Sequence, residues 1–223
     1  HIKALEKMDW AFQYCNTMTV MPTLPGSVRD AGGSFNGCTA LSSVQPIPFG
    51  VTTIAYAFQG CTSLANAPDI SGTVQNMSHA FDGCTNLVKA TAIPDSATDL
   101  DHTFSGCVKL AAVPYIGTSV QYMPYTFYDC NSLTSCGWIP ANVRGMSHTF
   151  ENCDNIATTP AINNNWVAWD YTFRDCYKLS AITAFPTGSD NMNGAFFNCW
   201  SITSMPTVPN NYTKIYSTFY NCC

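Results

Sequence analysis

Cysteine and histidine, the side chains best suited to act as nucleophiles, general bases or transition-metal ligands, number 12 and four in this protein. Ten of the cysteines, Cys15, Cys38, Cys61, Cys84, Cys107, Cys130, Cys153, Cys176, Cys199 and Cys222, follow one another at intervals of 23 residues. A disulfide framework is the usual reading of many cysteines in an exported chain, but it fits that regularity badly. Side chains at a constant period stack in register and point the same way, so the torsion near 90° that a disulfide needs is hard to reach. Zinc binding by cysteine calls for a CxxC-like cluster or mixed Cys and His ligands, and an even ladder offers neither. A catalytic thiolate needs an imidazole beside it in an electropositive pocket, whereas the histidines fall elsewhere in the period. The expectation is a column of buried free thiols, with Cys136 as a further core filler. Cys222 and Cys223 are the two most open to reaction or pairing.

Three of the histidines, His79, His102 and His148, share one register with Tyr56, Tyr125 and Tyr171. His79 and His102 are one period apart, close enough to share an ion, and are the candidates for a metal site. A ladder of stacked rings is the favoured reading, with no metal and no cofactor. The sequence contains no GxGxxG, P-loop, HExxH or GxSxG motif, and its acidic residues scatter across registers. An enzyme is therefore not expected.

The element that positions these residues is a repeat. MSHAFDGCTNL (77–87) returns as MSHTFENCDNI (146–156), three periods later. Stepping by 23 from Phe81 lands on Phe12, Phe35, Phe58, Phe104, Phe127, Phe150, Phe173, Phe196 and Phe219. With each Phe as position 1, Cys stands at position 4, Leu or a relative at 7, and mostly Ile at 13. Position 20 is mostly Met or Ile. Apolar sites about three residues apart fit neither a long amphipathic helix nor an alternating strand. They fit a coil that turns several corners with one side of each segment inward. A unit of this size cannot bury its apolar side alone, so neighbours must stack on a shared core. Position 3 is Gly, Asp or Asn in every unit except at Tyr14, types that tolerate a left-handed backbone. The segment ending at Phe-x-x is accordingly expected to be a short helical turn closed by a left-handed residue. Extended pieces are expected over positions 7 to 13 and 16 to 20, with prolines such as Pro48 and Pro94 turning the corner between them.

The pattern Phe-x-x-Cys-x-x-Leu, followed by spaced Val or Ile and an Ile-Pro corner, resembles the BspA-type leucine-rich repeat over Phe12 to Cys222. It is most similar to Met-rich, Ser/Thr-rich variants in large surface proteins of host-associated bacteria and some protozoa. The resemblance implies a curved leucine-rich-repeat solenoid, strand-rich, and a role in adhesion or protein binding. The reading is one solenoid over 1–223: nine stacked 23-residue coils, each with two short strands and a short helical turn. Repeats start at 12, 35, 58, 81, 104, 127, 150, 173 and 196, flanked by partial coils 1–11 and 219–223. Because both ends cut through a repeat, the chain reads as a piece of a longer protein.

Only 10% of residues are charged and the net charge is -5, so Ser, Thr and Asn do most of the solvating. No basic stripe exists to follow a phosphate backbone, which argues against a nucleic-acid partner. No apolar run approaches the roughly 18 residues that would insert into a bilayer.

Outward aromatics are the better functional lead. Tyr115 and Trp138 share position 12 on neighbouring coils, Tyr177 and Trp200 share position 5, and Phe197 and Tyr220 share position 2. Large rings held in pairs on a rigid support suit protein interfaces and sugar platforms. Trp166 and Trp169 instead replace core residues at positions 17 and 20 and read as local core. Two functions follow as expectations. The first is an extracellular or cell-surface module binding a protein or glycan. The second is a structural spacer or assembly component of a fibre or virion appendage, stacking through uncapped ends or flanking domains.

Overall fold

A chain that repeats its apolar sites every 23 residues has one way to bury them all, which is to lie each repeat on the next. The computed structural model, which describes residues 4–161 and 167–222, does this. Parallel bridges join Lys7, Asp30, Thr53, Asn76, Asp99, Tyr122, Gly145 and Ala168 in unbroken succession, and Asn191 to Lys214. All of these are position 19. A second, interrupted line joins Val20 to Ser43, Asn66 to Lys89, and Thr158 to Ala181 to Ser204, all at position 9.

The bridges fall where the two extended pieces were expected, but each is a single residue wide. Neither a multi-residue strand nor a helix occurs among the described residues. Prolines explain part of this. Every coil carries at least one at position 11, 12 or 14, and proline removes a ladder donor. The expected helical turn is replaced by a chain of tight turns, for a reason visible in the amides. Those of Ile54, Tyr56, Phe58 and Gly60 donate to the carbonyls of Asn76, Ser78, Ala80 and Asp82 on the following coil, at 2.7–3.1 Å. The amides between them, Ala57, Gln59 and Cys61, donate three residues back to Ile54, Tyr56 and Phe58, at 2.9–3.2 Å. Half the donors are thus spent between coils, which a helix with its four-back bonds cannot do.

The turns closed by the Ala57 and Cys61 amides are of the kind that needs a left-handed third residue. Position 3 supplies one, from Gly37 (φ 70°) to Asn221 (φ 55°), as the residue types suggested. Position 22 supplies the other, which the residue types did not suggest: Tyr56, His79, His102, Tyr125, His148 and Tyr171 all have φ of 51–60°.

Inside, ten phenylalanines from Phe12 to Phe219 form one column, with centroids 5.4–5.7 Å apart and planes within 14°. Phe35 to Phe196 are fully buried beside Leu41, Leu64, Leu87, Leu110 and Leu133. Each stacked pair contributes about 0.5–1.5 kcal/mol beyond its buried area. Trp169 is buried edge-on against Phe173 and Phe196, as expected of a core substitute. Trp166 and Cys223 lie outside the described residues.

The cysteine column is buried from Cys38 to Cys199, Cys136 included. It does more than fill space. The thiol of each cysteine from Cys38 to Cys222 in this register donates to the carbonyl of the Phe one coil back, at 2.8–3.2 Å. Hydroxyls of Thr103, Thr126, Thr149, Thr172 and Thr218 at position 23 do the same to the preceding coil's position 20, at 2.6–3.0 Å. These side chains satisfy the second lone pair of buried carbonyls that already accept a turn amide.

Candidate binding surface

The outward aromatics sit where adjacent coils bring the same position together. Tyr115 and Trp138 stack with centroids 6.5 Å apart and planes 10° from parallel. They are 52% and 45% exposed. Tyr115 is fixed from below: its hydroxyl donates to Asp95 Oδ1 at 3.0 Å, which also accepts the Thr118 amide at 2.9 Å and its hydroxyl at 3.2 Å. Those donors, the Thr118 amide first, hold the Asp95 carboxyl below its ordinary range. The surface is a pair of flat apolar rings with an anchored carboxylate at the edge.

Tyr177 and Trp200 pack at 4.9 Å with a 35° tilt, and Phe197 and Tyr220 at 4.8 Å and 15°. The guanidinium of Arg174 lies 5.3 Å from the Phe197 ring and 5.8 Å from the Tyr171 ring, and so links position 2 to position 22. That cation was missed in the sequence, where its register partners were read only as aromatics.

Position 22 is the ring ladder. Tyr56, His79, His102, Tyr125, His148 and Tyr171 stack in order with centroids 4.4–4.9 Å apart and planes within 15°. Each ring carries a left-handed backbone that costs a non-glycine residue about 1–3 kcal/mol, offset by its contacts above and below. The ends of the column are closed by ring over glycine. A Cβ on Gly33 would lie 2.4 Å from the Trp10 ring, and one on Gly194 2.4 Å from the Tyr171 ring.

The acids beside this column are ordered. Asp82 Oδ2 is 3.0 Å from His79 Nδ1 and accepts Gln59 Nε2 at 2.9 Å. Asp101 Oδ1 is 2.7 Å from His102 Nδ1, and its Oδ2 is 3.9 Å from His79 Nε2. Glu151 bonds His148 Nδ1 and lies 3.6 Å from Arg174. Asp82 and Glu151 each follow a histidine of the ladder by three residues and Asp101 directly precedes His102, a local spacing that the sequence reading passed over; only the approach of Asp101 to His79 crosses from one coil to the next. It also passed over Phe49, which is 78% exposed and off the Phe register.

Comparison with known proteins agrees with this architecture. A model of the "BspA type Leucine rich repeat region" matches six copies over residues 6–134, 55–180 and 101–223. Among solved structures, a leucine-rich repeat protein from Bacteroides ovatus superposes with a TM-score of 0.60 over 98% of this chain and 68% of that one, at 20% identity. The leucine-rich repeat protein of T. pallidum gives a TM-score of 0.57 at 26% identity, over 82% and 76%. One from Eubacterium ventriosum gives 0.50 at 16% identity, over 97% and 74%. Among curated proteins, none matches the chain. The Phe, Cys and Leu columns and the repeated family model fall on one and the same unit of sequence, and this chain belongs to the BspA-type leucine-rich repeat family.

Proposed function

We propose that this chain is a non-enzymatic binding module, displayed at a cell surface or outside the cell, that recognises a protein or glycan through its exposed aromatic pairs. Leucine-rich repeat proteins generally bind other proteins, and function resides in the surface that each member presents on the shared fold. The observation that carries the reading is the Tyr115–Trp138 pair, half exposed, stacked across two coils and steadied by Asp95. Preordered rings lose little freedom when a ligand covers them, and desolvated aromatic anchors dominate binding energy where they occur. The exposed Tyr177, Trp200 and Tyr220, with the partly buried Phe197, form a second aromatic group on the same rail.

The test is capture of ligands from surface-protein extracts and a glycan array, followed by affinity measurement on the hit. Replacing both Tyr115 and Trp138 by Ala is expected to weaken binding at least 30-fold, the effect of losing about 2 kcal/mol. A ligand bound equally well by that variant and by Trp200→Ala with Tyr220→Ala removes the aromatic faces from consideration.

A further inference from the structure

We propose that His79, His102 and Asp101 form a binding site for a divalent cation of the zinc class, oriented by Asp82. One ligand atom from each of the three residues falls within 4.8 Å of the other two. The coil path makes this possible. His79 and His102 are the same position on successive coils, with ring centroids 4.5 Å apart, and Asp101 precedes His102 in the chain. Zinc bonds of about 2.0–2.1 Å in tetrahedral array set ligand atoms roughly 3.3 Å apart. Asp101 Oδ2, the ligand atom, must approach His79 Nε2 by a few tenths of an ångström from 3.9 Å while Oδ1 releases its 2.7 Å bond to His102 Nδ1. Because the two ring planes lie only 12° from parallel, the His102 ring must turn out of the stack for its in-plane lone pair to converge on the cation.

The second, independent observation concerns the far side of His79. An ionised carboxylate only accepts hydrogen bonds, so Asp82, 3.0 Å from Nδ1, places the proton there and leaves the Nε2 lone pair directed at the Asp101 side. Asp82 is itself held by Gln59. A carboxylate behind a histidine is the arrangement that fixes tautomer and ring direction for metal ligands. At His102 the cation takes the place of the Nδ1 hydrogen, which moves to Nε2, with no net change in protons. Two imidazoles and one carboxylate favour zinc and its late-transition neighbours over calcium or magnesium, which prefer all-oxygen shells. Side-chain exposures of 19%, 30% and 39% for His79, His102 and Asp101 leave a fourth position open to water. His148 serves as an internal control, since its ring neighbours are Tyr125 and Tyr171 and no second histidine adjoins it.

The experiment is titration of the native, reduced protein with Co²⁺, read by its visible d–d bands, and displacement with Zn²⁺. The variants are His79→Tyr, His102→Tyr, His148→Tyr and Asp82→Asn. Tyrosine already occupies this position at Tyr56, Tyr125 and Tyr171, with the same backbone and stacking, so the fold is retained. One Co²⁺ per chain is expected, displaced by Zn²⁺, without a thiolate charge-transfer band. His79→Tyr and His102→Tyr each weaken binding at least tenfold, Asp82→Asn weakens it ten- to a hundredfold, and His148→Tyr leaves it unchanged. Absence of saturable uptake, uptake unaltered in both His79→Tyr and His102→Tyr, or a thiolate band that persists in them overturns the site. An unchanged Asp82→Asn overturns the orienting role.

Discussion

At the scale of single residues, the backbone angle at position 3 matters more than the side chain there. Gly83 has φ +71°, and a Cβ added to it would meet only Gly60 backbone at an ordinary 3.8 Å. Space is not the obstacle, so Gly83→Ala is expected to destabilise through conformation alone, by about 1–2 kcal/mol. Gly83→Asn should cost clearly less, because Asn152 and Asn198 hold the same angle in other coils and Asn tolerates it better than Ala. Equilibrium denaturation of the two variants checks the order; equal losses would show that packing decides this position. Position 3 was legible because its residue types announce a left-handed backbone. Position 22 was not, since Tyr and His favour no such angle and accept it here only because rings on the neighbouring coils stack on them.

At the scale of the element, the cysteine column makes the molecule sensitive to alkali. Burial, the first cause in every case, raises the thiols of Cys38, Cys61, Cys84, Cys107, Cys130, Cys136, Cys153, Cys176 and Cys199 from 9.0, with Cys61 pushed up to about 12. A folded value above the unfolded one means that the unfolded state releases protons first as pH rises. Stability is then complete below about pH 9 and declines between 9 and 12, by about 1.4 kcal/mol per pH unit for each fully buried thiol. The denaturant midpoint is expected to hold up to about pH 9 and to drop steeply above it, with thiolate absorbance appearing together with unfolding. Thiolate absorbance ahead of unfolding would mean the column is open to water. Sequence spacing foretold the burial of these thiols and their unpaired state. The S–H bond from each cysteine of the 23-residue register to the preceding Phe carbonyl was out of reach, since it joins residues 26 apart whose approach depends on coil pitch.

At the scale of the whole molecule, stability is a sum over coils and their shared faces. Deleting residues 81–103 removes one period and carries position 23 of one coil into position 1 of the next. The shortened chain is expected to fold cooperatively with a lower denaturation midpoint. Deleting 81–92 alone puts Phe and Cys out of line with their columns and should abolish cooperative unfolding, measured by circular dichroism against denaturant. Equal tolerance of both deletions would contradict a register-locked core.

The 23-residue period by itself determined the stacking of repeats, the inward Phe, Cys and Leu columns, and the outward pairing of Tyr115 with Trp138, because a constant period places like residues side by side whatever the path between them. Only the tertiary structure decided that the coils are joined by single bridges and tight turns instead of strands and a helical turn. The same holds for the approach of Asp101 to His79 on the preceding coil, which joins different positions of the repeat. The reason is that repetition specifies which positions meet their own kind, whereas contacts between different positions depend on how the backbone turns each corner, and those turns are set by hydrogen bonds between coils.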